Sequence, residues 1–205
     1  MRPVKNFILV KVAKRFKDVF EAPNGMILFK HLLEDGNREH DVVIHAPVAA
    51  IPDDVPCSGF AKGIQKDIRV GDEVYFKYLS LLSEENWIPT SGGEFWRIPY
   101  QDVFCAVRDG DIIPIGGWVL VEPIREKPVN TFLIDPFKDK VKNETVGIVK
   151  HIGKPKMGMP DMQRMVGETI FFPKDCAFEN EIEGTVYYCM EQKMIYGRIK
   201  EEAVQ

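Results

Sequence analysis

Short apolar segments alternate with polar stretches rich in glycine and proline, which predicts an all-β chain of short strands. The first half contains five such segments, and the second half contains five more in the same order. The predicted strands of the first half are Phe7–Val12, Asp41–Ala46, Glu73–Tyr78, Phe95–Ile98 and Val103–Val107. Those of the second half are Trp118–Val121, Thr145–Gly153, the strand that follows the turn within Val166–Phe172, Gly184–Met190 and Met194–Ile199.

The two halves begin alike and share a second signature. Each opens with a proline, Pro3 or Pro114, followed by an apolar strand and a polar loop. Later, Val70–Phe76 (VGDEVYF) parallels Val166–Phe172 (VGETIFF) position for position. The polar turn at 108–111 lies between the repeats, so we predict two copies of one small β-domain, residues 1–110 and 111–205. Short strands with turn glycines favour small barrels or sandwiches.

Each predicted loop carries three adjacent hydrophobic residues. The first trio is Met26, Ile27 and Leu28, within a segment, 13–39, that we interpret as a long loop. The second trio is Phe132, Leu133 and Ile134. Exposed apolar side chains on a polar loop suggest a partner's groove. The alternative is that each trio forms a strand that packs on its own domain.

Composition and charge narrow the function classes. The 205 residues carry a net charge of −4, with lysine and arginine dispersed, which argues against nucleic acid as the main partner. No apolar run approaches the roughly 18 residues of a membrane span. The four cysteines form no CxxC pair, so we expect reduced thiols and a cytoplasmic protein; they are Cys57, Cys105, Cys176 and Cys189.

No residue pattern predicts catalysis, a cofactor or a metal. His31, His40 and His45 are close in sequence, but their spacing fits no compact zinc motif, so we expect them to face solvent. Gly116-Gly117 lacks the remaining residues of a phosphate-binding loop. Residues 154–160 are either an interaction hairpin or a plain exposed loop.

The order of these motifs resembles the co-chaperonin (GroES) family, in a tandem two-domain form. The first half offers Arg2-Pro3, Val10, Asn24–Leu28, Val70–Phe76 and Asp102–Val107. The second half offers Ile113-Pro114, Val121, Phe132–Ile134, Gly147–Gly153 and Val166–Phe172. The first half lacks the family's A-V-G strand ending before Pro47, and the second loop has Asn130-Thr131 where the family has glycines. Such departures are typical of a divergent tandem form or a virus-encoded relative.

The resemblance implies two GroES-like β-barrels whose apolar trios dock on a chaperonin. On this hypothesis the chain is not an enzyme, assembles into a homo-oligomeric ring, and caps a nucleotide-bound, GroEL-like chaperonin ring to assist folding. Neither nucleic acid nor membrane is an expected partner. The alternative is a structural or adaptor protein of the same fold, such as a viral assembly component, without chaperonin binding. An enzyme of the alcohol dehydrogenase kind would need a dinucleotide-binding G-x-G-x-x-G unit, which the sequence lacks.

Overall fold

The computed structural model describes residues 3, 6–12, 19–21, 27–29, 43–52, 67–90, 93–124, 144–156 and 158–199; at 19–21 and 27–29 it describes the backbone. The chain divides into two compact units, with the division between Asp109 and Gly110. None of the helices formed by the described residues combines the length and apolar character that a membrane crossing requires.

In the first unit, six strands form one antiparallel sheet and two more form a separate hairpin. The strands are β1 (Phe7–Lys11), β2 (Val19–Glu21), β3 (Ile27–Phe29), β4 (His45–Ala50), β5 (Glu73–Phe76), β6 (Trp87–Thr90), β7 (Gly93–Pro99) and β8 (Val103–Arg108). Within this unit the six sheet strands have the order β6-β7-β1-β4-β5-β8, and β2 pairs with β3. A one-turn helix, α1 (Leu79–Leu82), and 3-10 turns at Glu84–Asn86 and Tyr100–Asp102 complete the unit's described elements.

In the second unit, a short strand precedes a six-stranded sheet. The strands are β9 (Asp111–Pro114), β10 (Trp118–Pro123), β11 (Val146–Ile152), β12 (Thr169–Phe171), β13 (Phe178–Ile182), β14 (Thr185–Glu191) and β15 (Gly197–Ile199). The sheet has the order β13-β14-β10-β11-β12-β15, and all of its pairings are antiparallel. The 3-10 turns of this unit are Gln163–Met165 and Gln192–Met194.

The six sheet strands β1 and β4–β8 of the first unit share one topology with the six strands β10–β15 of the second. Numbered in chain order within its own set of six, each set has the order fourth, fifth, first, second, third, sixth. A register shift between the first two sheet strands is also repeated. It lies between Leu9 and Val10 in the first unit and between Leu120 and Val121 in the second. The prediction of an all-β chain is confirmed, and the sheets repeat strand for strand.

The repeated topology contains a repeated core. In the second unit one cluster of buried side chains comprises Val119, Val121, Val149, Ile152, Ile170, Phe172, Tyr188 and Met190. The strand registers match these positions to Ile8, Val10, Val48, Ile51, Val74, Phe76, Trp96 and Ile98 of the first unit, of which all but the half-buried Ile51 are buried. Each unit thus fills its interior from the same strand positions.

The parallel between Val70–Phe76 and Val166–Phe172 is confirmed by equivalent hydrogen bonds. Gly71 N–H donates to the Val48 carbonyl at 2.9 Å, and Gly167 N–H donates to the Val149 carbonyl at 2.8 Å. Both glycines have left-handed φ values, +93° and +87°, which a residue with a Cβ adopts only with strain. The glycine of this motif therefore makes the turn that leads into the third strand of each unit.

The predicted second strand, 41–46, has the wrong bounds. β4 begins at His45 and continues through Pro47 to Ala50, although the proline was expected to end it. Pro47 fits in the strand because the hydrogen bond to the segment that leads into β5 is made by the next residue. Val48 N–H donates that bond to the Asp72 carbonyl at 2.9 Å. Alternate N–H groups of a strand face opposite neighbours, so the missing donor costs no bond to that segment.

Two further findings concern the fourth strand of each sheet and the corner that follows the fifth. The sequence pattern missed β6 and β13, because Trp87–Thr90 contains a proline and Phe178–Ile182 contains two glutamates. The corner after the fifth strand is also equivalent in the two units. Tyr100 corresponds to Gln192, since their N–H groups donate to the equivalent carbonyls of Asn6 and Gly117 at 2.8 and 2.9 Å.

A part-buried ion pair distinguishes the first unit from the second. Arg108 donates from Nε and Nη2 to the two carboxylate oxygens of Asp72, at 2.8 and 2.6 Å, and Arg69 N–H adds a bond of 2.7 Å. Burial by itself raises the pKa of Asp72, but these hydrogen bonds outweigh it and hold the pKa below its ordinary value. The equivalent Glu168 instead pairs with a half-exposed Arg198 at 3.0 Å.

We predict that Asp72→Asn lowers the free energy of unfolding of the first unit by about 3 kcal/mol, because it leaves a part-buried guanidinium without its counter-charge. Urea unfolding of the full chain measures this. The matched control is Glu168→Gln, whose partner is half exposed, with an expected loss below about 1 kcal/mol. Equal losses in the two variants would contradict the prediction.

The same carboxylate makes stability depend on pH. Because its folded pKa is depressed, the ionised form of Asp72 adds stability that is fully present above its unfolded pKa of about 3.9 and is lost as pH falls through the folded value. We therefore expect the difference in unfolding free energy between wild type and Asp72→Asn to shrink below about pH 4. Urea titrations at several pH values test this, and a difference independent of pH would refute it.

Candidate functional site

The two apolar trios lie in equivalent connections of the repeated topology. The first arm, as we call the connection from β1 to β4, contains Met26, Ile27 and Leu28. The second arm, from β10 to β11, contains Phe132, Leu133 and Ile134. In each unit the arm therefore joins the first strand, which is central in its sheet, to the neighbouring second strand.

Equivalent hydrogen bonds hold the ends at which the arms rejoin the sheets. Ile44 accepts a bond from Phe76 N–H at 2.9 Å, and Thr145 accepts one from Phe172 N–H at 3.0 Å. An ion pair between Lys150 and Glu122, 2.7 Å long, adds a tie between the strands that flank the second arm. Each arm thus emerges from a hydrogen-bonded sheet.

The first arm contains a β-hairpin, so its interpretation as a long loop is wrong at residues 19–21 and 27–29. β2 and β3 pair antiparallel, with Val19 opposite Phe29, Phe20 opposite Leu28 and Glu21 opposite Ile27. The residue types favour this pairing, because five of these six are β-branched, aromatic or leucine. The intervening residues include Asn24-Gly25, a turn signal that indicates a hairpin connection.

Two residues of the first trio therefore lie in a strand. Ile27 and Leu28 are the first two residues of β3, whereas Met26 and the side chains of both strand residues are outside the described part of the chain. Among the described strands, β2 and β3 pair only with each other. Apolar residues occupy both alternating sets of positions in β3, and its outer edge has no described strand beside it.

The second trio lies wholly outside the described residues. Phe132, Leu133 and Ile134 fall within 125–143, and only the flanking strands β10 and β11 are described. Those strands place this arm at the same connection as the first.

Among the described residues, neither the histidines nor the loop at 154–160 forms a second candidate binding site. His31 and His40 lie outside the described residues, while His45 is half exposed, bonds Glu73 at 2.7 Å and stacks on Tyr75. Within the described part of the chain, no group of histidine, cysteine and carboxylate residues is arranged to hold a metal. In the loop, Lys156 pairs with Glu191 at 3.1 Å, which ties part of it to β14.

A cleft of about 520 Å³ in the second unit was not predicted from the sequence. Its lining residues are Glu144, Phe172, Pro173, Lys174, Asp175, Ala177, Glu179 and Tyr188. Lys174 and Glu144 neutralise one another across 3.1 Å, and both are largely exposed. Burial raises the pKa of the adjacent Cys176 thiol, which keeps it protonated and unreactive near neutral pH. The cleft therefore shows no activated nucleophile.

The other described thiols are structural. Cys105 and Cys189 are buried and unbonded to another cysteine, and burial raises the pKa of Cys189 to about 12. A thiol held in its protonated form is a poor nucleophile and a poor metal ligand. These residues pack within their sheets.

Comparison with known proteins supplies no assignment. No protein-family model matches the chain, and a search of curated proteins finds none that matches its sequence.

We predict that the backbone amides of 19–21 and 27–29 exchange with deuterium much faster than those of β1 and β10. A two-stranded sheet is marginally stable alone, whereas β1 and β10 are hydrogen-bonded on both sides. Hydrogen-exchange mass spectrometry of the intact chain measures this. Leu28→Pro, which removes a backbone donor, should speed exchange in β2 without altering the melting temperature of the sheets. Protection of the hairpin equal to that of β1 would contradict the prediction.

Proposed function

We propose that this chain is a non-enzymatic co-chaperonin that caps an ATP-driven chaperonin ring. Its two units would be tandem GroES-like β-barrels, and its apolar arms would bind the chaperonin. The observation that carries the proposal is the coincidence of topology and composition. Two sheets of identical strand order each carry an apolar trio in the connection between their first and second strands.

The composition of the arms suits reversible binding. Burying the three apolar side chains of one trio would contribute roughly 5–8 kcal/mol before costs. Ordering the arm on its partner would offset much of that gain. One arm alone would therefore bind weakly, but several arms on one ring would act together through effective concentration. Such a cap holds firmly yet releases when its partner changes conformation.

The hairpin adds a feature to the first arm. Because residues 19–21 and 27–29 are already paired, part of the ordering cost is met before the partner is bound. Ile27 and Leu28 then approach the partner as the start of a strand whose register is set by β2. This pairing favours binding by the first arm.

A pull-down with a purified chaperonin ring tests the proposal. We expect the wild-type chain to co-elute with the ring when nucleotide is bound and not in its absence. Ile27→Asp and Leu133→Asp should each weaken binding by roughly tenfold or more, and the double variant should abolish it, because a carboxylate replaces an apolar anchor. The comparison of the single variants shows which arm dominates.

The control is Val70→Asp, which introduces the same charge at an exposed turn position outside both arms. It should bind as the wild type does. A wild-type chain that ignores the chaperonin in every nucleotide state would overturn the proposal. It would favour instead a structural or adaptor role for this fold, in which the arm variants keep full activity.

A further inference from the structure

The fourth sheet strand, which lies at one end of the strand order, differs in chemistry between the two units. It is β6 in the first unit and β13 in the second, and no described strand pairs with the outer edge of either. Register matches Glu179 of β13 to Trp87 of β6, and Glu181 to Pro89. The second unit therefore carries two carboxylates where the first has an indole and a proline.

The turn between β13 and β14 determines which backbone groups face the open edge. Its two residues, Glu183 and Gly184, have φ values of +50° and +74°, as a type I′ hairpin turn requires. The residues that flank such a turn form a hydrogen-bonded pair, and bonded pairs alternate along an antiparallel ladder. The N–H and C=O groups of Glu179 and Glu181 consequently point away from β14, toward the open edge.

The proline of the first unit makes the two edges unequal. Pro89 has no N–H, so the edge of β6 lacks a donor at this position, and proline on an edge strand hinders the addition of another strand. Glu181 keeps the donor at the equivalent position of the second unit. The edge of β13 is therefore able to pair with a further strand along its length.

The cleft of about 520 Å³ lies on the same face of the sheet as the two glutamates. Glu179 lines it together with Phe172 and Tyr188, whose rings meet edge to face with centroids 6.0 Å apart. Glu179 is directly opposite Tyr188, and Glu181, two residues further along β13, shares their face. Both carboxylates are exposed. The cleft thus has an aromatic wall and an acidic border beside an open strand edge.

The charges of this region favour a cationic occupant. The lining contains one lysine, Lys174, and three carboxylates, those of Glu144, Asp175 and Glu179, which gives it a net charge of −2. Glu181 adds another negative charge along the edge. Carboxylates at every second residue of an edge strand complement basic residues at every second residue of an added strand, and they repel an acidic one.

We propose that the open edge of β13 and the adjoining cleft bind an extended peptide segment with lysine or arginine at alternate positions. The segment would add a strand to the sheet through main-chain hydrogen bonds to Glu179 and Glu181. Its basic side chains would lie opposite these carboxylates. The apolar stem of the side chain opposite Glu179 would enter the cleft, where Phe172 and Tyr188 provide an apolar surface.

This peptide site is separate from the two arms. Glu179 and Glu181 lie in the fourth sheet strand of the second unit, whereas the arms join the first and second sheet strands. Binding of a peptide therefore requires no chaperonin, and its measurement contains none. Failure of the pull-down would leave the result of this measurement unaffected.

Fluorescence anisotropy of a labelled, end-capped hexapeptide, Lys-Thr-Lys-Val-Lys-Thr, titrated with the full chain, measures the binding. We expect a dissociation constant of about 100 µM or tighter. The peptide Lys-Lys-Lys-Thr-Val-Thr has the same composition without the alternation, and it should bind at least about fivefold more weakly. Glu-Thr-Glu-Val-Glu-Thr should not bind. Three results would overturn the inference: no binding of the alternating peptide at about 0.5 mM protein, equal binding of the two lysine peptides, or binding of the acidic one.

Variants of the chain separate the charges from the backbone. Glu179→Gln with Glu181→Gln keeps the shape of both side chains and should raise the dissociation constant at least about fivefold, because two cross-strand charge pairs are lost. Glu181→Pro copies the residue of the first unit and also removes the outward N–H, so it should raise the constant at least about tenfold. Glu183→Gln, a neutralisation at an exposed position of the adjoining turn, is the control and should bind as the wild type does.

Circular dichroism and the melting temperature establish that each variant is folded. A folded glutamine pair with wild-type affinity, or a control variant as weak as that pair, would refute the inference. Should Glu181→Pro unfold, the alternating peptide methylated at the backbone nitrogens of its lysines replaces that test. It should bind the wild type at least about tenfold more weakly, since the main-chain donors are lost, and equal affinity would exclude the addition of a strand.

Discussion

Pairing of the first strand of each unit on both of its edges is the constraint on which the rest of the structure depends. β1 lies between β7 and β4, and β10 lies between β14 and β11. Three consecutive residues of β1, Ile8, Leu9 and Val10, are buried, which explains why this segment is uniformly apolar and does not alternate. Because β4 and β11 are also bonded to the third strands, each arm leaves and re-enters a sheet at fixed points.

The hydrogen-bonded sheets and the proposed binding segments are therefore different parts of each unit. The sheets carry the buried cores and the bonded turns, whereas the apolar trios lie in connections outside the six-stranded sheets. In the first arm, β2 and β3 have only each other as described partners, so the hairpin holds its register without being part of the stable sheet. For the function we propose, such a division is useful, since binding and release require an element that changes at little cost to the fold.

Duplication also explains where the units diverge. Equivalent positions have kept their apolar character in the cores. At the equivalent turns, however, the ion pair of Asp72 with Arg108 is more buried than that of Glu168 with Arg198. The last strands diverge most, since β8 is buried along nearly its whole length and β15 is largely exposed. Identical strand order therefore does not imply identical surroundings.

The amino-acid pattern is enough to predict the all-β class, the repeated order of motifs and most strands with strong apolar patterns, because alternation, turn glycines and β-branched residues act locally. It did not reveal the hairpin at 19–21 and 27–29, nor the passage of β4 through Pro47. Both features depend on which strand pairs with the segment, and the sequence pattern of the segment itself does not identify that strand. Nor could it separate Tyr196 from Phe104, equally aromatic residues at equivalent positions. Which of the two side chains is covered depends on the folded structure, because burial requires distant parts of the chain to meet in space.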